Sequence, residues 1–239
     1  LLLGKHYVSM GQTTSLSNKI YMDLTTSHVV FVCGKRGSGK SYTLGVIAEG
    51  LTDLPEGIKE NLSIIMLDTM GIYWTMKYPN KEDSELLEQW GLKPHGLDVQ
   101  IYTPKGYYEK KKKKGIATDF PFSLKPSELS AHDWCLTFDI SPNKPMGILI
   151  EKIVLNLSKE KGDYNIMDMI KAVEKEDKAK EHVRLAIKNR LMSAKSWGLF
   201  GEEGTPLSDL VNGGQVTVLD VSCYATVPGA EEDMGFRRP

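Results

Sequence analysis

Eight residues constrain this chain more than any others: Gly34-Lys35-Arg36-Gly37-Ser38-Gly39-Lys40-Ser41 matches G-x-x-x-x-G-K-[ST] at every required position. Before it runs a continuous β-branched and aromatic stretch, Val29 to Cys33; after it Leu44, Ile47, Ala48 and Leu51 recur at helical spacing. The setting reads as a buried parallel strand, a glycine turn and an amphipathic helix starting near Lys40. The glycines let the backbone curl so that successive N–H groups point at one anion, and the positive end of the helix adds to the same field. Lys40 is expected to bridge the β- and γ-phosphates of a nucleotide, and the Ser41 hydroxyl to coordinate Mg²⁺. Gly37, Ser38 and Tyr42 are grouped with Gly34, Gly39, Lys40 and Ser41 as nucleotide-binding. Lys35 and Arg36 belong to the same loop, and either point outward or help to neutralise phosphate. The expected nucleotide is ATP rather than GTP, an inference resting on the lack of an N-K-x-D guanine-reading motif.

Such a site also needs an acid for the metal ion and, usually, a Glu or Gln to place the attacking water. Buried strands are predicted at Ser63 to Asp68, Asp98 to Tyr102, Trp134 to Phe138 and Val216 to Val221. Two of them carry an acid at the carboxyl end, Asp68 and Asp220. Asp68 is read as a catalytic and metal-binding residue near the nucleotide; Asp220 is read more readily as a cap on the next turn. Neither is followed by Glu.

The middle of the chain turns helical. Ile150, Ile153, Val154 and Leu157 share one face of a helix over Met146 to Leu157. Asn165 and Asp168 have the spacing of a capping box, opening a helix to about Glu176, and a further helix runs from about Ala179 to Trp197, stopped by Gly198. Strands alternating with helices imply an α/β fold with a mainly parallel sheet and its ligand at the carboxyl ends of the strands. The expected organisation is an N-terminal segment over 1–23, a phosphate-loop core over 24–239, and a helical insertion at about 144–200.

Four segments stand in a telling order: Ser27 to Gly45 (with His28 before the strand), Asp68-Thr69-Met70-Gly71-Ile72-Tyr73, Trp197-Gly198-Leu199-Phe200, and Leu207 to Ser222. Through them, Leu24 to Pro228 resembles the HerA-type ATPases of archaea and bacteria, in the HerA/FtsK branch of RecA-like motors. The resemblance implies a homo-oligomeric ring, a hexamer, that hydrolyses ATP to move along or open double-stranded DNA. It also implies, in archaea, a NurA-type nuclease partner in the processing of DNA ends. Asp68 falls on the family's acid after the second strand. The family often continues there with Gly-Glu-Tyr, where this chain has Gly71-Ile72-Tyr73. Its Walker B Asp-Glu pair, sensor residues and arginine finger are expected beyond Val216 to Val221, and a join of separate segments is expected at Ala230-Glu231.

The remaining features bound the partners. A net charge of -1 requires any nucleic-acid surface to be local. Lys110 to Lys114 is a run of five lysines, read as a solvated surface loop, with contact to the DNA backbone as its functional alternative. No apolar run is long enough to cross a bilayer, and the scattered Cys33, Cys135 and Cys223 suit reduced thiols, so a cytoplasmic location without membrane contact is expected. Two rival functions stay open: a phosphotransferase acting on a small molecule, and a nucleotide-binding assembly partner that does not hydrolyse.

Overall fold

The computed structural model describes residues 1–11 and 13–225. Along the chain it forms β1 (Leu2–Met10), β2 (Thr13–Tyr21), α1 (Lys40–Thr52), α2 (Glu56–Lys59), β3 (Ile64–Asp68), α3 (Ser84–Gln89), β4 (Val99–Pro104), α4 (Lys105–Lys113) and β5 (Phe120–Phe122). Then come α5 (Ala131–Thr137), α6 (Pro145–Glu160), α7 (Ile166–Glu174), α8 (Glu181–Ser196), α9 (Leu207–Leu210) and β6 (Val216–Asp220). The expected α/β class holds: β3, β6, β4 and β5 lie in that order in a four-stranded parallel sheet. The expected Ala230-Glu231 join and everything beyond it fall outside the described residues.

The chain divides into two compact units, one of Leu1–Ile101 with Ser208–Pro239 and one of Tyr102–Leu207. In the first, β6 pairs with β3 in parallel register, Ile64 opposite Val216 through Asp68 opposite Asp220. The β6 run V-T-V is fully buried because the strand lies inside the sheet. β3 is an outer strand, and its Ile65 and Leu67 are exposed. The N-terminal segment, expected only to lead into the core, is an antiparallel hairpin with Leu2 opposite Tyr21 and Met10 opposite Thr13. Thr and Ser supply much of β2, and no strong apolar alternation announces it.

One expected strand is not formed. Val29–Cys33 has no regular structure, and Val29 and Phe31 are 101% and 86% exposed. Its residue types suit a buried strand, but a strand exists only through ladder bonds, and no described strand pairs with this run.

The second unit holds a helical core, in the region expected to be helical. Ile150, Ile153, Val154 and Leu157 of α6 pack with Ile166, Met169, Ile170 and Val173 of α7 and Val183, Ile187, Leu191 and Ala194 of α8. Each set repeats at three and four residues, so each helix closes one stripe against the others. The capping box predicted at Asn165 is present: its side chain accepts from the Asp168 N–H at 3.0 Å while Asp168 Oδ2 accepts from the Asn165 N–H at 3.2 Å. α8 ends before Gly198, whose φ is +66° and whose carbonyl accepts from the Gly106 N–H at 2.8 Å. A side chain at Gly198 would meet the Gly106 backbone.

Two further expectations are corrected. Trp134 to Phe138 is not a strand but the last turn of α5 with Phe138 as its C-cap, and α5 is opened by a capping box between Ser130 and Asp133. A strand would put Trp134, Leu136 and Phe138 on one face. Here Trp134 is 0% and Leu136 68% exposed, while Trp134 and Phe138, four apart, stack with ring centroids 5.4 Å apart. Lys110–Lys113 is not loop but the last turn of α4, where cations oppose the negative end of the helix dipole, and only Lys114 stands just beyond it.

Candidate functional site

The phosphate-loop residues all lie in the first unit, and the turn they make is the one their glycines demand. Gly37 and Gly39 have φ of +79° and +87°, a region closed to most side chains, and Gly39 is the N-cap from which α1 departs. A side chain at Gly34 would collide with the Ser38 hydroxyl. The first hydrogen bond of α1 runs from the Thr43 N–H to the Gly39 carbonyl at 2.8 Å, so the N–H groups of Lys40, Ser41 and Tyr42 precede the helical ladder. The curl and the helix start therefore coincide, as an anion cradle requires.

Lys40 folds back across this turn: its Nζ donates to the carbonyls of Gly34 at 2.9 Å and Lys35 at 2.8 Å. The ammonium thus sits over the loop, held by two neutral acceptors. Lys35, Arg36, Gly37, Ser38, Ser41 and Tyr42 are exposed. The donors present, amides and an ammonium with an exposed hydroxyl one residue on, fit a magnesium-bound polyphosphate.

Asp68 ends β3, as expected, and is 2% exposed. Its Oδ1 accepts from the N–H groups of Met70 (3.0 Å) and Gly71 (2.7 Å), and its Oδ2 from those of Ile72 (2.7 Å) and Tyr73 (2.9 Å). A carboxylate has about four acceptor positions, so the turn uses all of them. In this structure Asp68 organises the segment that follows it. The segment in turn touches the phosphate-loop helix, because the Tyr73 hydroxyl donates to the Ser41 carbonyl at 3.3 Å. Burial, with the Asp68 charge nearby, pushes the Tyr73 phenol up from its ordinary value and keeps that proton on. Sequence reasoning missed Tyr73 in this role, since nothing in its spacing marks an aromatic hydroxyl aimed back at a helix.

Asp220 ends β6 and is 5% exposed; its Oδ1 accepts from the Ser222 N–H at 3.0 Å and the Ser222 hydroxyl at 2.6 Å. That is the turn cap its position suggested. Gly71, at φ +67°, allows the approach of this turn, because a side chain there would press on Ser222 Oγ.

The choice of ATP over GTP cannot rest on the lack of a guanine-reading N-K-x-D, because Asn80-Lys81-Glu82-Asp83 spells that pattern. The structure gives it a local task. Asn80 Oδ1 accepts from the N–H groups of Glu82 (3.1 Å) and Asp83 (3.2 Å), and its Nδ2 donates to Asp83 Oδ2 at 2.9 Å. The segment is a side-chain-closed turn leading into α3, with the Asp83 carboxylate already engaged.

Four of the five lysines at the end of α4 are exposed and one, Lys111, is buried; Lys112 Nζ lies 5.4 Å from the centre of the Tyr108 ring. No helix among the described residues is long and apolar enough to cross a membrane. A family described as "Helicase HerA, central domain" matches residues 4–227. No curated protein matches the chain.

Proposed function

Because the chain belongs to the HerA helicase central-domain family, we propose that it is an ATPase whose turnover drives movement along double-stranded DNA as a ring of copies. The observation that carries this reading is the loop itself: two left-handed glycines and a helix start share one turn, with the Lys40 ammonium lying over it. The magnesium nucleotide supplies the scissile phosphoanhydride and the charge that this cradle recognises.

The chain's own residues divide the work. The amides of the turn and of the first turn of α1 orient the phosphates, and Lys40 exchanges two neutral carbonyls for anionic oxygens, a stronger hydrogen-bond acceptor class. The Ser41 hydroxyl holds the metal ion. Asp68 acts through the backbone: it fixes the 69–73 turn, which sets Tyr73 against the Ser41 carbonyl and steadies the start of α1. It is a positioning residue. Movement follows from coupling this loop to the packing between neighbouring copies, a shift between two arrangements. The cations at the end of α4 provide a backbone contact for DNA, and a nuclease acts with the ring at DNA ends.

A second reading draws on one observation: Asp68 and Asp220, the acids at the sheet's carboxyl edge, are both bound to backbone N–H groups, and neither is followed by Glu. That arrangement favours a nucleotide-binding assembly partner that does not turn over. Phosphate release measured with and without double-stranded DNA separates the two. Turnover stimulated by DNA supports the motor; tight nucleotide binding with no turnover under either condition supports the partner and ends the first reading.

A further inference from the structure

Five lysines run to the C-cap of α4, and the structure separates them. Lys111 is buried, while Lys110, Lys112, Lys113 and Lys114 are exposed. Lys112 Nζ lies 5.4 Å from the centre of the Tyr108 ring, within reach of a cation–π contact. Lys113 and Lys114 follow Lys110 by three and four positions, so these three side chains share one side of the helix, with Cβ atoms roughly 5 to 6 Å apart.

Their charge is not balanced. Elsewhere in the same unit Lys125, Lys152, Lys161 and Lys188 each meet a carboxylate at 2.6 Å. Among the described residues, Lys110, Lys113 and Lys114 form no ion pair. The negative end of a helix amounts to about half an elementary charge, and like charges three and four apart repel. Glu109 is the one acid in α4. Three neighbouring ammoniums exceed what this helix end neutralises.

The backbone beneath them is fixed. At the start of α4 the Gly106 N–H donates to the Gly198 carbonyl at 2.8 Å, and a side chain on either glycine would strike the other's backbone. Midway the Tyr108 hydroxyl donates to the Asp119 carbonyl at 3.0 Å. At the end Gly115, with φ of +70°, donates its N–H to the Lys112 carbonyl at 3.1 Å, and the Ile116 N–H donates to the Lys111 carbonyl at 3.1 Å. These are the paired bonds of a Schellman cap. The three lysines therefore stand on a platform ordered before any partner arrives, and only their side chains remain to be ordered on binding.

We propose that Lys110, Lys113 and Lys114 form a three-point clamp on consecutive phosphates of a DNA strand, while Lys112 braces Tyr108 and Lys111 packs inward. The clamp rests on the DNA-contact reading above and assigns it to individual residues. Each strand of a duplex carries one charge per about 3.4 Å of axis, and ammoniums on flexible stems at this spacing reach neighbouring phosphates. Such contacts fix the backbone and carry no sequence information. They also need no nucleotide in the phosphate loop, since every group that orders α4 lies within the second unit.

The test is the affinity of the full chain for double-stranded oligonucleotides of two unrelated sequences, measured without nucleotide over a series of salt concentrations. Lys110→Gln, Lys113→Gln and Lys114→Gln are each expected to reduce the slope of log affinity against log salt by about 0.9, and the triple variant by nearly three times as much, equally on both sequences. Lys112→Gln removes the same charge from the same turn and is expected to change the slope by less than about half that amount. Equal changes for Lys110→Gln and Lys112→Gln would mean diffuse attraction to the whole turn and overturn the clamp. A parent that binds no DNA, or a triple variant with the parent's slope, overturns it too. Phosphate release with and without DNA is read on the same proteins. DNA-stimulated turnover in a triple variant of unchanged slope removes the clamp and leaves the motor; the expected slopes beside turnover indifferent to DNA keep the clamp and end the motor.

Discussion

Asp68 and Asp220 are register partners at the carboxyl ends of adjacent parallel strands, both buried; Asp68 accepts from four backbone N–H groups of the turn that follows it, and Asp220 from the N–H and the hydroxyl of Ser222. Two neighbouring buried carboxylates remain tolerable because each accepts hydrogen bonds from the turn that follows it. The Asp68→Asn variant keeps the shape but replaces one acceptor oxygen by an N–H₂ that confronts two backbone N–H groups. Losing charged hydrogen bonds and leaving buried donors unpaired costs about 3 kcal/mol. Chemical denaturation of parent and variant measures it, and a difference near zero would show that the four N–H contacts do not hold the turn.

Lys40 illustrates the opposite arrangement, a residue whose contacts matter little to folding. Its partners are two carbonyls of an exposed loop. Lys40→Ala is expected to leave the melting temperature nearly unchanged while phosphate release falls by at least about 100-fold, the usual loss when one charge-stabilising donor is removed. Phosphate-release kinetics and a thermal melt on the same preparation check both halves. Normal turnover in this variant would move the nucleotide site elsewhere.

Tyr73 tests whether the Asp68 turn speaks to the phosphate loop. Removing only its hydroxyl, in Tyr73→Phe, deletes the bond to the Ser41 carbonyl and keeps the buried ring. Stability is expected to fall by about 1 kcal/mol and nucleotide affinity by a few-fold, because the helix start becomes less fixed. Unchanged affinity by calorimetry, beside the expected stability loss, would make the contact purely structural.

What could be read from the residues follows how local the determining physics is. The loop at Gly34–Ser41 and the cap at Asn165 and Asp168 are set by neighbours a few positions away, and both were legible. So were the core stripes of α6, α7 and α8, where a period of three and four leaves little choice. Val29–Cys33 was misread because a strand is a relation between segments: composition names a suitable candidate and says nothing about its partner. Trp134–Phe138 was misread because four apolar residues in a run of five fit either period, and only the Ser130–Asp133 box decides for helix. The grasp of Asp68 on four N–H groups, and the meeting of His95 with Asp53, join residues whose sequence carries no mark of the contact.

The second unit offers a pH-dependent prediction. Asp168 is held below its ordinary value, chiefly by its hydrogen bond with Lys161 at 2.6 Å and also by the Asn165 N–H. A carboxyl that is more acidic when folded gives stability that is fully present above its unfolded value and is lost as pH falls through the folded one. Asn165→Ala removes the reciprocal half of the box and is expected to cost about 1 kcal/mol at pH 7. Asp168→Asn should lose stability at pH 7 and differ less from the parent at pH 3, where the parent carboxyl is itself becoming protonated. Denaturation midpoints of parent and both variants at the two pH values measure these shifts. An Asp168→Asn deficit that stays the same size at pH 3 would mean that the charge on Asp168, and with it the Lys161 pair, does not stabilise the start of α7.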